Sequence, residues 1–163
     1  MANSVFDRAL DEHGGLIDRI VATFERDRTG REDLQQEVAL ALWRAAPSWR
    51  EDCSLRTFVA RVAHNVCVSH VRRVTREPRR TDLDAGLATD AERPDEAAVR
   101  ADMGRRLARA VADLAPALRD VAVLMLEGFS PREIAETLGI AEGAVATRAS
   151  RAKAALRTMM EPT

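Results

Sequence analysis

The stretch SPREIAETLGIAEGAVATRASRAKAAL, residues 130–156, decides the fold of the C-terminal part of the chain. Its first four residues, SPRE at 130–133, predict a helix start, because Ser caps a helix, Pro suits the first helical position and Glu closes the capping box. Gly139 ends this short helix, since glycine adopts the left-handed conformation that a sharp turn needs. A longer helix over about 142–160 follows. This order predicts a helix-turn-helix.

The second helix of this pair carries side chains suited to duplex DNA. Arg148, Arg151 and Lys153 can neutralise phosphates, and the hydroxyls of Thr147 and Ser150 are short enough to reach base edges. Ala135 is the small residue that the first helix needs where the second crosses it, and apolar anchors are present at Ile134, Leu138, Ile140 and Val145. The alternative is a plain helical hairpin whose basic face is only solvated.

The composition of the whole chain favours helices. Ala, Leu, Arg and Glu dominate its 163 residues and only 4% are aromatic, and straight-chain side chains lose little rotamer freedom in a helix. The net charge of −1 does not by itself indicate a nucleic-acid binder. However, residues 54–76 and 143–160 contain basic side chains and no acid, whereas residues 77–96 are net acidic. The near-neutral net charge of the chain therefore conceals two cationic stretches.

Helical periodicity predicts an all-α fold made of two small helical domains joined by a flexible linker. We expect a first helix over about 5–24, and a second that is opened by a Thr29–Glu32 capping box and ends before Pro47. Three further helices are expected over 54–73, from near Pro94 to Pro116, and over 118–127. The triplet at 13–15, His-Gly-Gly, is expected to kink or break the first helix. Residues 74–91 hold no sustained apolar period. We therefore place the domains at residues 1–75 and 94–163, with the linker at 76–93.

Several function classes are excluded by what the sequence lacks. No apolar run approaches the roughly 20 residues that span a membrane, and the N-terminus lacks the order of a signal peptide, so we expect a soluble cytoplasmic protein without membrane insertion. Cys53 and Cys67 have neither disulfide-framework nor zinc-ribbon spacing. His64, Cys67 and His70 offer three metal ligands without a fourth. No catalytic motif is present, so we predict no metal, no cofactor and no enzymatic activity.

Three segments, in this order, resemble the extracytoplasmic-function (ECF) branch of the sigma-70 family of RNA polymerase specificity factors. EDLQQEVALALWRA at 32–45 is similar to region 2.2, SLRTFVARVAHNVCVSHVRR at 54–73 to regions 2.3–2.4, and residues 126–156 to region 4. The resemblance implies that residues 1–75 bind core RNA polymerase and melt the −10 promoter element, and that residues 94–163 recognise the −35 element. It also implies polymerase contacts at the largest-subunit coiled coil and the flap, and an anti-sigma factor as a further partner.

The resemblance assigns polymerase binding to the D-x-x-Q-E pattern, which here is Asp33, Gln36 and Glu37. Positions i, i+3 and i+4 share one helix face, as a partner-binding stripe requires. A merely solvated charged face is the alternative. We assign Trp43, beside this stripe, to the core rather than to the contact.

The resemblance assigns recognition of the −10 element to Asn65 in the family's A-x-N pattern. An Asn can pair with the Watson–Crick edge of an extruded base, and the loop from Trp49 to Cys53 would form one wall of the pocket. Candidate contacts to the DNA backbone are Arg56, Arg61, Arg72 and Arg73. The alternative is that Asn65 caps or bridges helices.

The −35 element is assigned to the recognition helix, through Ala146, Thr147, Arg148, Ser150, Arg151 and Lys153. Three positions depart from the family pattern: Ser69 replaces a common Asp, Ala146 a basic residue, and Ala141 occupies the N-cap. Loss of the basic residue at 146 removes a base contact worth roughly 1–3 kcal/mol of discrimination, which puts the −35 preference in doubt. DNA binding itself is still expected from the remaining cations.

Two other functions remain open at this stage. The helix-turn-helix could belong to an autonomous regulator that binds operator DNA without polymerase, usually as a dimer. Asp33, Gln36 and Asn65 would then have no special role. Alternatively, the chain could be a helical adaptor that binds only protein, with Ser69 and Ala146 as traces of lost promoter recognition.

Overall fold

The computed structural model describes residues 3–76 and 96–161, and the regular elements in these ranges are all helical. The predicted linker at 76–93 and the helix start near Pro94 lie outside the described residues, apart from Arg76. The described ranges contain seven α-helices: α1 (Asn3–Phe24), α2 (Arg28–Ala45), α3 (Leu55–Arg76), α4 (Glu96–Asp113), α5 (Pro116–Leu126), α6 (Pro131–Leu138) and α7 (Glu142–Met160). A short 3-10 turn at Ala46–Ser48 follows α2. The all-α prediction is confirmed for these ranges.

Helices α1, α2 and α3 pack on one another in the N-terminal half. On α2 the buried residues are Leu34, Val38 and Leu42, whose four-residue spacing forms one apolar stripe. Helix α1 runs without a break through Gly14 and Gly15, although the sequence predicts a kink there. The residues that follow these glycines are buried against the neighbouring helices and hold α1 in place: Leu16, Ile17, Ile20 and Val21.

The start of α2 differs from the sequence prediction, which has Thr29 at the N-cap and Glu32 closing a capping box. The cap is Asp27, whose carboxylate accepts a hydrogen bond from the Gly30 N–H at 2.8 Å. Glu32 instead pairs with Arg28, with 3.3 Å between Oε1 and Nε. The prediction is wrong because Asp caps as well as Thr does, and its charge is also stabilised by the helix dipole.

The predicted helix-turn-helix is confirmed at α6 and α7. The Ser130 hydroxyl accepts from the Glu133 N–H at 3.2 Å, and the Ser130 N–H donates to the Glu133 carboxylate at 2.7 Å. This second bond lowers the pKa of Glu133 below its usual 4.5, so its stabilising effect is lost as the pH falls through that lowered pKa. Gly139 adopts a left-handed φ of 66°, and Val145 of α7 is buried.

The N-terminal and C-terminal sets of helices also contact each other. Helix α1 packs against α4 and α5, and α3 packs against α6. Buried residues of both sets belong to one continuous apolar cluster. Among the described helices, α7 packs only against its own set, α4, α5 and α6. None of the described helices combines the length and apolar composition that crossing a membrane requires.

We predict that Ser130→Ala lowers the free energy of unfolding by about 1 kcal/mol, because the N-terminus of α6 loses its side-chain cap. Urea denaturation followed by circular dichroism measures this change. Ser69→Ala is the matched control, since Ser69 is exposed within α3 and should change stability by less than about 0.5 kcal/mol. Equal stabilities of the two variants would contradict the role of the cap.

Candidate nucleic-acid interface

The residues of the D-x-x-Q-E pattern lie together on the outer face of α2. Asp33 and Gln36 are exposed and Glu37 is half-buried. Glu37 accepts a hydrogen bond from the Arg73 guanidinium of α3 at 2.6 Å. This ion pair joins one residue predicted to bind polymerase with one predicted to bind DNA.

Trp43 lies on this outer face as well, which corrects its assignment to the core. Its residue surface is 61% exposed, and that of Leu40 is 46% exposed. Trp43 follows Leu42, which is buried, so the two side chains point about 100° apart around the helix. The stripe therefore runs from Asp33 through Gln36 and Leu40 to Trp43. The spacing of three and four residues from Asp33 is the signal in the sequence that could have placed Trp43 on this face.

Asn65 lies on the exposed face of α3, which favours contact with a ligand over a bridge between helices. The loop before α3 is held by its own contacts: the Trp49 indole N–H donates to the Cys53 carbonyl at 3.1 Å, and the ring lies 6.3 Å from that of Phe58. Glu51 in this loop has a φ of 60°, a conformation that costs energy for a residue other than glycine and is frequent at functional sites.

The four arginines predicted to contact DNA at the −10 element have different surroundings. Arg72 is exposed, and Arg73 is paired with Glu37. Arg61 is half-buried, with its guanidinium 3.5 Å from the Cys53 sulfur. Arg56 is directed at the C-terminal half, where it stacks on a phenylalanine ring. Of the four, Arg72 is therefore the arginine that is exposed and makes none of these contacts.

Helix α7 presents most of the predicted −35 residues to solvent. Five of the six are exposed and Arg148 is half-buried: the exposed ones are Ala146, Thr147, Ser150, Arg151 and Lys153. The Thr147 hydroxyl donates to the Gly143 carbonyl at 3.1 Å, which fixes its orientation on the helix. The buried side of α7 consists of Val145, Ala152 and Leu156. The helix therefore has one apolar face for packing and one polar face open to a duplex.

The surroundings of the cysteines and histidines bear on metal binding and redox chemistry. Burial raises the pKa of the Cys67 thiol to about 12, which leaves it an inert core residue. Burial also raises the pKa of the Cys53 thiol. His64 lies 3.1 Å from a carboxylate oxygen of Asp120, and His70 lies 3.2 Å from one of Glu25. The described residues contain no group of three or more potential metal ligands.

The chain matches family models of two sigma-70 regions and curated relatives along its length. The model of sigma-70 region 2 matches residues 9–77, and the model of sigma-70 region 4 matches residues 104–156. The ECF RNA polymerase sigma factor SigM of Mycobacterium tuberculosis is 27% identical over 155 residues, which cover 95% of this chain and 76% of SigM. The RNA polymerase sigma-H factor of Pseudomonas aeruginosa is 26% identical over 167 residues, covering 96% of this chain and 86% of that protein.

Two solved structures share the fold. The sigma factor RpoE in complex with the anti-sigma factor NepR, from Bartonella quintana, gives a TM-score of 0.77 at 19% identity, covering 95% of this chain and 96% of RpoE. CnrH in complex with the cytosolic domain of CnrY gives a TM-score of 0.67 at 24% identity, covering 95% of this chain and 86% of CnrH. The matches to regions 2 and 4 occur in the predicted order on the two halves of the fold. The chain belongs to the sigma-70 family, in its ECF branch.

Proposed function

We propose that the two halves of this ECF sigma factor have different roles. Residues 1–75 bind core RNA polymerase and open the −10 element, and residues 94–163 read the −35 element. The observation that carries this proposal is the presence of two exposed surfaces of different chemistry, the acidic and apolar stripe on α2 and the cationic face of α7. An autonomous operator-binding regulator would need only the second surface. The polymerase supplies the chemistry of RNA synthesis, in the cytoplasm.

The stripe on α2 suits a protein partner better than solvent. An exposed Trp beside an exposed Leu forms an apolar patch, and such patches mark interaction sites. Trp is enriched among the residues that dominate binding energy, while surrounding polar groups exclude water and set orientation. Asp33 and Gln36 supply those polar groups at the N-terminal end of the stripe. We assign this face to the coiled coil of the largest polymerase subunit, with the flap as a second contact of the protein.

Asn65 and the loop at 49–53 form the proposed −10 site. The amide of Asn65 offers a donor and an acceptor to the edge of an unstacked base. The indole N–H of Trp49 is already bonded within the loop, so Trp49 contributes its ring as a wall rather than a hydrogen bond. Arg72, which is exposed on α3, supplies a phosphate contact in this proposal.

Helix α7 forms the proposed −35 site. Arg151 and Lys153 neutralise phosphates, and Ser150 is short enough to reach a base edge. Ala146 is exposed on the same helix, where it offers only a methyl group to the major groove. A methyl group can contact the methyl of thymine, but it makes no hydrogen bond to guanine.

An anti-sigma factor is a further proposed partner of this chain. The structurally similar RpoE was solved with the anti-sigma factor NepR. Because RpoE is only 19% identical to this chain, the proposal extends to the class of partner and not to its binding residues.

We predict that Trp43→Ala and Asp33→Ala weaken binding to core RNA polymerase, Trp43→Ala by about tenfold or more because a central aromatic anchor is lost. Fluorescence anisotropy of the labelled full-length protein, titrated with core enzyme, measures the affinity. Asp11→Ala is the matched control, since Asp11 is an exposed acid on α1. Unchanged affinity of Trp43→Ala would remove the stripe from the polymerase contact.

We predict that Asn65→Ala abolishes or strongly reduces run-off transcription while the affinity for core polymerase stays at its wild-type value. The promoter upstream of the protein's own gene is the first template to use. Ser69→Ala, one turn along α3, is the control and should keep activity. Wild-type transcription by Asn65→Ala would contradict base capture by this residue. If the purified protein alone binds the duplex specifically and transcription does not depend on it, the autonomous regulator is the correct function.

We predict that Arg151→Ala weakens binding of the reconstituted holoenzyme to promoter DNA and lowers the slope of log affinity against log salt by about 1, as expected for one lost phosphate contact. Filter binding at several salt concentrations provides both quantities. Arg105→Ala is the matched control, because Arg105 lies outside α7, on α4, where its guanidinium pairs with Asp102 of the same helix. Equal slopes for the two variants would show that Arg151 does not contact the DNA backbone.

A further inference from the structure

The loop between the 3-10 turn and α3 is closed by the side chain of Trp49. Its indole N–H donates to the Cys53 carbonyl at 3.1 Å, so that one side chain connects the two ends of the segment 49–53. The indole ring lies 6.3 Å from the ring of Phe58, which is buried in α3. Trp49 therefore contacts the core through its ring and the loop through its nitrogen. We call the segment 49–53, closed by this hydrogen bond, the clamped loop.

The middle of the clamped loop contains a strained residue. Glu51 has a φ of 60°, and it is the one residue other than glycine with a positive φ in the part of the chain that the structure describes. Gly, Asn and Asp adopt this conformation readily, whereas for Glu it costs free energy. Glu51 is exposed, so burial of its side chain does not offset that cost. Such strain persists where surrounding contacts fix the backbone, and the Trp49–Cys53 hydrogen bond spans this residue.

The C-terminal end of the clamped loop is fixed to α3. The Ser54 hydroxyl accepts a hydrogen bond from the Thr57 N–H at 3.1 Å and so caps the helix directly after the loop. Arg61, in the second turn of α3, donates to the Cys53 sulfur at 3.5 Å. Both ends of the loop are thus held in place. The side chains exposed between them are Arg50, Glu51 and Asp52.

The clamped loop meets the face of α3 that carries Asn65. Arg61 precedes Asn65 by four residues, and positions i and i+4 lie on the same helix face. Because Arg61 contacts Cys53, the loop reaches this face one helical turn from Asn65. A base held by the Asn65 amide would therefore lie beside a wall whose backbone conformation is already fixed.

We propose that Trp49 is a positioning residue for base discrimination at the −10 element. Its indole N–H and its ring hold the clamped loop in one strained conformation, which gives the pocket a rigid wall. A rigid site rejects a ligand whose polar groups it leaves unpaired, whereas a loose wall adapts to each base. The role in discrimination rests on the proposed function of Asn65. The existence of the clamp in the free protein does not.

Thermal unfolding of the full-length protein, followed by circular dichroism, tests the clamp without DNA. Glu51→Gly and Glu51→Ala both remove the carboxylate, but glycine alone adopts a positive φ without strain. We expect Glu51→Gly to unfold about 2–4 °C above Glu51→Ala. Trp49→Phe keeps an aromatic ring and loses the N–H, so the loop can relax. In that background the difference between the two Glu51 variants should fall by at least about half.

Run-off transcription with core RNA polymerase tests the consequence for promoter recognition. The template is the promoter upstream of the protein's own gene, with each of the four base pairs placed in turn at each position of its −10 element. At the position of strongest preference, the ratio of transcript from the best base to transcript from the worst measures discrimination. We expect Trp49→Phe to lower this ratio about fivefold, as the loss of one hydrogen bond predicts.

Ser48→Ala is the matched control for Trp49→Phe. The Ser48 hydroxyl donates to the Ala45 carbonyl at 2.7 Å, so this variant also removes one side-chain donor to a backbone carbonyl, one residue before the clamped loop. It should leave the ratio unchanged. A variant that is merely less stable makes less transcript from every template and keeps the ratio constant, which separates positioning from a general loss of stability.

Each outcome bears on one part of the inference. Equal unfolding temperatures of Glu51→Gly and Glu51→Ala, or a difference between them that Trp49→Phe does not reduce, would overturn the clamp. A wild-type ratio for Trp49→Phe would overturn its role in base discrimination. A wild-type protein without base preference at any −10 position would contradict the proposed −10 site, and the unfolding temperatures would still decide whether the clamp exists.

Discussion

Close packing around α3 is the constraint on which the rest of the structure depends. Its small side chains Ala60, Ala63 and Cys67 are fully buried, and α1, α2 and α6 all pack against this helix. Small residues allow neighbouring helices to approach closely, and larger ones at these positions would force the helices apart. Because so much of its surface is used for packing, α3 has one exposed strip left, and Asn65 lies on it.

The proposed polymerase and DNA surfaces meet at the side of α3 that carries Arg73. The Arg73–Glu37 pair connects α3 to the D-x-x-Q-E pattern of α2. Burial of α2 through Leu34, Val38 and Leu42 fixes the direction of its opposite face. Binding of polymerase at that face would therefore act directly on the position of the helix that carries Asn65. Among the described helices, by contrast, the recognition helix α7 packs only against others of the C-terminal half.

The interface between the halves adds polar contacts to the apolar cluster that runs through both halves. Within each half, stripes of buried aliphatic residues on amphipathic helices provide the main stabilisation. Between the halves, arginine contacts with carboxylates, a carbonyl and aromatic rings are prominent. Arg56 and Arg19 lie in the region that resembles region 2, and Glu127 and Phe129 in the region that resembles region 4.

The sequence by itself determined the features that depend on neighbouring residues. The capping box at 130–133, the left-handed turn at Gly139 and the shared face of Asp33, Gln36 and Glu37 follow from spacings of up to four residues, and the first two are seen in the structure as predicted. The N-cap of α2 was missed because Asp27 and Thr29, two residues apart, both satisfy the same rule.

Only the tertiary structure decided which helix faces are covered and which residues meet across the chain. Trp43 is exposed although its type favours burial, because α2 places Leu42 toward the core. Arg19 meets Glu127 across 108 positions of sequence, and no local pattern encodes such a pair. Hydrophobic spacing and capping act within a few residues, whereas the Arg19–Glu127 pair depends on how the two sets of helices pack together.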